Sequence, residues 1–365
     1  MVSRIALNFG SEFNPVLNSA SSFLFHGFLF HFCSVASTAF VGRLRLGFAV
    51  SCTPHHIPTF FMSHPDNLDV LAAQTVPQDA AEYHQLILKE KQTWKFSIVP
   101  GHFCQSLNET NDQDFDYLTQ HFGVVGSWED TLQKLHALNS ASDEKTTYKI
   151  LFLARHGQGF HNVAHDMYGD DAWNSHWSKL NGNGDMVWGP DPELTELGIQ
   201  QARDNCEQWK KEVANGCPIP TKFFVSPLRR SVDTLIYTWE SISDPKTLHP
   251  LIMENLRETT GVHTCDKRST RSEIAEKYES RGFVIEPGFS EKDVYYKPDY
   301  RESVGEHAVR LNRAFQQIFT STSDPVLSLT SHSGTIRAQL MVLGHRSFAV
   351  GTGGIIPVFV KAEQT

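Results

Sequence analysis

The second half of the chain alternates short apolar runs with stretches in which apolar residues recur at every third or fourth position. Short apolar runs are typical of buried strands, and the longer spacing is typical of helices that bury one face. The predicted strands are residues 148–154, 222–225, 325–329 and 356–360. Strands that alternate with helices predict an α/β fold, in which a mostly parallel sheet is covered by helices on both faces.

Helix boundaries are predicted from residues that cap helices. Thr195 is a predicted N-cap for a helix over residues 194–214, and Gly216 is placed to end that helix. Ser303 and Glu306 have the spacing of a capping box at the start of another helix. The other predicted helices are residues 79–91, 112–122, 230–239 and 335–343, and one that follows Ser127.

Residues 1–61 differ in composition from the rest of the chain. They contain eleven of the 25 phenylalanines, and residues 13–42 include no Asp, Glu, Lys or Arg. A run of this length is long enough for a membrane anchor, whereas serine and arginine with few acids are typical of an organelle-targeting leader. A third interpretation is translated upstream sequence, with the working protein starting near Met62. Under each interpretation, residues 62–365 form a single catalytic domain with its core at 94–365.

The formal net charge of −9 argues against a protein whose main function is to bind nucleic acid or acidic membranes. An acidic protein with an anionic substrate must gather its positive charge in one pocket. The six cysteines lie scattered without a CxxC pair, which favours reduced thiols over a disulfide framework or a zinc site. We therefore expect a cytoplasmic protein, or an organellar one if residues 1–61 are a leader.

Three predicted strands end in sequences rich in arginine, histidine and small residues. Residues 148–154 lead into RHG (155–157), residues 222–225 into SPLRR (226–230), and residues 325–329 into SHSG (331–334). In an open α/β sheet, ligands bind beyond the carboxyl ends of the strands, where helix N-termini favour anions. Each junction alone is equally typical of a surface turn. Their repetition at one topological position predicts a single site of positive potential.

These motifs resemble those of the histidine phosphatase superfamily, in its phosphoglycerate-mutase-like branch, and there most of all the fungal phosphomutase-like proteins. The matching segments are RHG at 155–157, LTELGIQQA at 194–202, SPLRRSVDT at 226–234, LRETTG at 256–261 and SHSG at 331–334. The resemblance begins near Trp94 and implies a three-layer α/β/α sandwich of the phosphoglycerate-mutase-like kind. It also implies transfer of a phosphoryl group through a phosphohistidine, and we expect no cofactor and no metal.

The resemblance assigns a role to each matched residue. His156 is the nucleophile, and Glu258 protonates the leaving group and then activates the acceptor. Arg155, Arg230 and His332 neutralise the charge that spreads over the phosphoryl oxygens. The expected substrate-binding residues are Asn162, Gly157, Arg155, Arg230, His332 and Arg268.

Several residues near these motifs allow two interpretations. Glu258 could instead form a salt bridge, and Arg268 could belong to a solvated helix start rather than meet a second anionic group of the substrate. His161 and His165 are spaced as metal ligands could be, although HExxH is absent and ligand binding or capping explains them better. The tryptophan-rich insertion at residues 163–190 either roofs the pocket or packs as a subdomain.

The sequence favours an enzyme that hydrolyses a small phosphomonoester, with a phosphomutase as the alternative and a non-catalytic phospholigand-binding protein as a third hypothesis. Gln158 stands where mutases that use bisphosphoglycerate commonly carry Glu, and the RHGxRxP pattern of phytases is absent. The expected partner is a small phosphorylated metabolite and no nucleic acid. We expect no membrane association unless residues 13–42 form an anchor, and the sequence leaves the oligomeric state open.

Overall fold

The computed structural model of the protein describes residues 64–365. The three interpretations of residues 1–61 therefore fall outside the described residues. Within residues 64–365, no helix combines the length and the apolar character that crossing a bilayer requires.

A seven-stranded sheet with the order β1-β7-β2-β6-β3-β4-β5 forms the centre of the fold. Its strands are β1 (Trp94–Ile98), β2 (Thr146–Arg155), β3 (Lys222–Val225), β4 (Leu251–Ile252), β5 (Val284–Ile285), β6 (Val326–Ser331) and β7 (Ile355–Gln364). The neighbouring pairs β2–β6, β6–β3, β3–β4 and β4–β5 are parallel. Strand β7 is antiparallel to both β1 and β2. The prediction of a mostly parallel sheet is confirmed.

Helices connect these strands and flank the sheet. They are α1 (Asn67–Ala73), α2 (Pro77–Ile87), α3 (Trp128–Ala141), α4 (Phe160–Tyr168), α5 (Asp170–Ser175), α6 (Glu196–Ala214), α7 (Arg229–Trp239), α8 (Pro245–Leu248), α9 (Arg271–Tyr278), α10 (Val304–Ser321) and α11 (Ser333–Leu343). Helices α1, α2, α10 and α11 contact one another as one group, and α6 packs against α7 in another. The arrangement is the predicted three-layer α/β/α sandwich.

Aromatic side chains fill the space between the sheet and helices α3, α6 and α10. Phe152 of β2 contacts Trp128 of α3 and Trp209 of α6, with ring centroids 5.9 and 4.7 Å apart. Phe96 of β1 contacts Phe315 and Phe319 of α10 at 5.7 and 5.0 Å. These side chains are large and well packed, so they hold the helices rigidly against the strands whose ends carry the candidate site.

The caps predicted from the sequence are present in the structure. The Thr195 hydroxyl accepts a hydrogen bond from the Gly198 amide at the start of α6. Ser303 and Glu306 form the reciprocal capping box of α10. Gly216 follows α6 with a φ of +93°, a conformation that favours glycine.

The helix predicted over residues 112–122 is absent, and this prediction was wrong. The Asp116 side chain accepts hydrogen bonds from the Leu118 amide and the Thr119 hydroxyl, which gives the backbone an alternative to a helix. Phe122 has a φ of +52°, outside the right-handed helical region. The segment instead buries its aromatic side chains as turns, so apolar spacing alone misled the interpretation.

The insertion at residues 163–190 contains a small core of its own. Trp173, Trp188, Ala164 and Cys265 are buried together, separately from the main core. The Tyr168 ring stacks on Trp177 with centroids 4.1 Å apart. This packing agrees with the interpretation of a subdomain.

Candidate active site

The ends of three neighbouring parallel strands form one edge of the sheet. Arg155, the last residue of β2, pairs with Ser331 at the end of β6, and Val225 of β3 pairs with Thr330. The RHG, SPLRR and SHSG segments follow these strands directly. The structure therefore brings the three predicted junctions to one place.

The protonation of His156 is fixed by two hydrogen bonds. Its Nδ1 lies 2.6 Å from the carbonyl oxygen of Gly157, which can only accept. Arg230 Nε–H donates to His156 Nε2 at 3.3 Å, so Nε2 must present its lone pair. Burial, followed by the positive charges of Arg230 and Arg155, lowers the pKa of His156 well below its usual range. His156 is therefore a neutral imidazole with a free electron pair on Nε2, the form that attacks phosphorus.

Arg230 is held by a buried carboxylate. Its Nη2 donates to Asp266 Oδ1 at 3.0 Å, and the other oxygen of Asp266 accepts from Arg301 Nη1 at 3.0 Å. Burial alone would raise the pKa of Asp266, but Arg301 and Arg230 outweigh burial and lower it. Asp266 is therefore charged, and it fixes the guanidinium of Arg230 beside His156. Removing one partner of such a pair would leave an uncompensated buried charge.

Arg155 has a carboxylate partner from a different part of the chain. Its Nη1 donates to Asp69 Oδ1 of α1 at 2.6 Å and to the carbonyl oxygen of Val350 at 2.8 Å. Among the described residues, Nε of Arg155 has no hydrogen-bond partner although it is buried. Nη1 is therefore the nitrogen of this guanidinium that protein acceptors occupy.

His332 lies next to His156, with the two ring centroids 5.0 Å apart. Its Nε2 is 2.7 Å from the Ser226 hydroxyl, and its buried Nδ1 has no partner among the described residues. When the serine donates to Nε2, the proton of His332 resides on Nδ1. Burial, followed by the charge of Arg230, lowers the pKa of His332, so it is a neutral donor before an anion arrives.

Glu258 lies at the mouth of the same site and accepts hydrogen bonds with both oxygens. Oε1 accepts from the Thr259 amide at 2.8 Å, and Oε2 accepts from the Gly334 amide at 3.1 Å. Gly334 belongs to the first turn of α11, whose unpaired N–H groups favour a negative charge. These donors fix the carboxyl group next to the phosphoryl site.

The salt bridge that the sequence left open for Glu258 is not formed. Arg257 pairs with Glu254 and Asp293 instead, at 2.9 and 2.6 Å. Lys267 places its Nζ over the ring of Tyr296, 5.4 Å from the centroid.

The candidate site opens into a cavity of about 320 Å³. Its inner wall includes Arg155, His156, Asn162, Arg230 and Glu258. His332 lies behind this wall, while Ser333 and Gly334 line it. The outer walls come from α1, from the 163–190 insertion through His165, Asp166, Trp173 and Asn174, and from Arg301 and Arg337. The insertion thus lines part of the cavity in addition to having its own core.

Asn162 and Gly157 both form hydrogen bonds that involve backbone groups near His156. Asn162 Oδ1 accepts from the Gly159 amide at 2.9 Å, so the side chain caps α4 while it lines the cavity. Gly157 does not line the cavity. Its carbonyl orients His156, and its amide donates to the Thr234 hydroxyl at 3.0 Å.

Gly157 should tolerate no side chain. A Cβ at this position would lie 2.3 Å from the carbonyl oxygen of Gly198, so Gly157→Ala would push the end of β2 away from α6. We expect the free energy of unfolding to fall by about 1–3 kcal/mol, the usual cost of overpacking. We also expect a large loss of turnover, because the carbonyl that orients His156 moves. Thermal melts and kcat of the same preparation measure both, and an unaltered melting temperature with full activity would contradict the close approach.

Comparisons with known proteins agree with this geometry. The model of the histidine phosphatase superfamily (branch 1) matches residues 151–349. A "Probable phosphoglycerate mutase" of Arthroderma benhamiae is 39% identical over 288 residues, covering 74% of this chain and 85% of the relative. "Phosphomutase-like protein 3" of Candida albicans is 40% identical over 273 residues, covering 74% and 81%. The chain belongs to the histidine phosphatase superfamily.

Among solved structures, the chain has a match to "Mycobacterial hydrolase 1". It is 20% identical with a TM-score of 0.38, and the match covers 60% of this chain and 97% of the other. As a member of the histidine phosphatase superfamily, the protein is an enzyme, and the resemblance seen in the sequence is confirmed.

Arg268 does not reach the cavity of this histidine phosphatase, which corrects the expectation that it binds the substrate. Its Nε donates to both oxygens of Glu254 at 3.0 Å, and its other nitrogens donate to backbone carbonyls between residues 269 and 292. The guanidinium also lies over the ring of Phe289 at 4.2 Å. Arg268 therefore holds two loops together, and no donor of its fork points to a ligand.

One group of potential metal ligands occurs among the described residues, and it is not His161 with His165. His263, Cys265 and Asp266 place ligand atoms within 4.8 Å of one another. Both oxygens of Asp266, however, already accept from arginine. Two guanidinium groups beside the same carboxylate disfavour a cation there.

Sequence reasoning missed the acidic and basic residues that surround the phosphoryl site. Asp69, Asp266, Arg301 and Arg337 are absent from the matched motifs, yet they contact the site or line its cavity. Asp266 and Arg301 lie in a stretch rich in charged residues, and Asp69 and Arg337 lie outside every matched motif, so composition alone could not single them out.

Proposed function

We propose that the protein hydrolyses a small phosphomonoester through a phosphohistidine at His156. The observation that carries this proposal is the state of His156: its Nδ1 proton is bound to the Gly157 carbonyl, and its Nε2 carries a lone pair that Arg230 Nε–H orients. A histidine that only stabilises structure has no need of two arginines and a second histidine around its lone pair. The cavity of about 320 Å³ suits a small metabolite.

The reaction follows in two steps. His156 Nε2 forms a bond to phosphorus while the bond to the ester oxygen breaks, and Glu258 in its protonated form gives its proton to that oxygen. Water then attacks phosphorus, Glu258 accepts a proton from the water, and the electron pair of the N–P bond returns to His156. Arg155, Arg230 and His332 neutralise the oxygens of the transferring group in both steps. The net reaction converts ester and water into alcohol and inorganic phosphate.

A phosphomutase is the second candidate, because the relatives are called a phosphoglycerate mutase and a phosphomutase-like protein. The same phosphohistidine would then be transferred to a hydroxyl of the substrate instead of to water. Gln158 favours hydrolysis, since mutases that use bisphosphoglycerate commonly carry Glu at this position. Its side-chain oxygen accepts from the Thr195 hydroxyl at 2.9 Å.

The two candidates differ in where the phosphoryl group goes. The full chain is incubated with a panel of phosphomonoesters, including phosphoglycerates and sugar phosphates, with and without added bisphosphoglycerate. We expect release of inorganic phosphate at a rate that bisphosphoglycerate does not increase. Movement of labelled phosphate between two positions of a phosphoglycerate, dependent on bisphosphoglycerate and without phosphate release, would establish the mutase instead. If the chain neither releases phosphate from any ester nor moves phosphate between positions of a phosphoglycerate, both candidates are contradicted.

A further inference from the structure

Helix α1 forms part of the cavity although it precedes the region that matches the superfamily. Asp66, Leu68, Asp69 and Ala72 line the cavity, whereas the matched region begins at residue 151. The helix is attached at both ends to pocket arginines. Asp69 binds Arg155 at 2.6 Å, and the carbonyl oxygen of Ala72 accepts from Arg337 Nη1 at 2.9 Å.

The ion pair between Asp69 and Arg155 does not use the whole guanidinium. Both contacts of Arg155 are made by Nη1, to Asp69 and to the Val350 carbonyl, and the buried Nε is without a partner among the described residues. A phosphoryl group can therefore bind the Nε edge while Asp69 keeps its hydrogen bond. In that complex the carboxylate and the phosphate share one guanidinium.

Each arginine of the phosphoryl site thus carries its own carboxylate, Asp69 for Arg155 and Asp266 for Arg230. The two carboxylates differ in their exposure to solvent and in the number of arginines that bind them. Asp266 is 4% exposed and is also bound by Arg301, whereas Asp69 is 19% exposed and lies on a helix of seven residues. Asp69 is therefore the partner whose charge can be removed with less disturbance of the fold.

Resting on the proposed function, we propose that Asp69 is a positioning residue that offsets the charge of Arg155 and thereby limits how tightly the site holds free phosphate. A carboxylate that shares a guanidinium with a phosphate dianion repels it across a short, partly buried distance. Product and bound ester carry the same phosphoryl charge, so stronger binding of both would slow product release rather than the chemistry. Asp69 thereby favours the release of phosphate before the next substrate binds.

The test is the affinity of the full chain for inorganic phosphate, measured by calorimetry and as product inhibition. Asp69→Asn keeps an oxygen that can accept from Arg155 and removes the charge. We expect it to bind phosphate about tenfold more tightly and to release product more slowly, with a lower kcat and a lower KM. Asp69→Glu, which restores the charge, should return phosphate binding to within about threefold of wild type.

Asp66→Asn is the matched control. Asp66 lies on the same wall and caps α1 by accepting from the Asp69 amide at 2.7 Å, a role that asparagine also fills. It loses the same charge from the same cavity wall without touching Arg155, so we expect a clearly smaller gain in phosphate affinity than Asp69→Asn shows. If Asp69→Asn melts below the assay temperature, Asp69→Ser removes the same charge and gives the same comparison.

Phosphate binding that is unchanged or weaker in a folded Asp69→Asn variant would overturn the inference, because Asp69 would then only orient Arg155. An equal gain in Asp66→Asn would overturn it as well, since the effect would belong to the general charge of the helix. Failure of the proposed function is recognised separately. In that case the wild-type chain binds neither phosphate nor vanadate and hydrolyses no ester, whatever residue 69 is.

Discussion

Replacing His156 by alanine should lower phosphohydrolase activity by at least three orders of magnitude. The substitution removes the Nε2 lone pair, and Nε2 is the ring nitrogen that accepts a hydrogen bond from Arg230. Loss of the nucleophile in covalent catalysis usually costs a factor of this size or more. The phosphoenzyme of the wild-type chain, labile in acid and stable in base, should be absent from the variant.

The measurement combines steady-state phosphate release with trapping of labelled enzyme after rapid denaturation in alkali. His136→Ala changes an exposed histidine of α3 and serves as the control, with activity within about twofold of wild type. Residual activity of His156→Ala above about a thousandth of wild type would mean that another group accepts the phosphoryl group.

Glu258→Gln should slow the hydrolysis of esters with poor leaving groups much more than that of esters with good leaving groups. An alkyl phosphate leaves as a strongly basic alkoxide that needs a proton, whereas p-nitrophenolate leaves without one. We expect hydrolysis of an alkyl ester to fall by about 10²–10⁴, the usual contribution of general acid catalysis, and hydrolysis of p-nitrophenyl phosphate to fall far less. Phosphohistidine formed from the activated ester should accumulate, because the same residue activates water in the second step.

A thermal melt must accompany this comparison. Both oxygens of Glu258 accept from backbone amides, so the NH₂ of glutamine would face an N–H donor on one side. Equal losses for both esters would show that Glu258 is structural. Asp166, which lines the cavity, would be tested next, since Glu306 is occupied in the capping box of α10.

The sequence was sufficient to predict the parts of the site that follow strands. Arg155, His156, Arg230 and His332 each come directly after an apolar run or at the first turn of the next helix. Because parallel strands end at one edge of the sheet, their order along the chain was enough to bring them together. Glu258 does not follow a predicted strand, and it was identified only through the resemblance of residues 256–261 to the family motif.

The partners of these residues could not be predicted in the same way. The contact between Asp69 and Arg155 joins α1 to the end of β2, and nothing local in either segment signals it. The expectation that Arg268 binds substrate was wrong for a related reason. The sequence shows that Arg268 is charged, but it does not show which carboxylate pairs with it. Glu254 lies fourteen residues before Arg268 and binds it in the interior.

The place of β7 in the sheet determines when the active site can be completed during synthesis. Strand β1 reaches the sheet through β7, with Trp94 paired to Gln364, and β7 also covers one side of β2. A ribosome therefore produces β1 and the strand before His156 long before it produces their shared neighbour. Until residues 355–364 emerge, both strands expose unpaired edges, a state in which growing chains are prone to aggregate. The Gly354 carbonyl, which accepts from the Arg155 amide, arrives in the same late segment. No shorter nascent chain should therefore transfer phosphate.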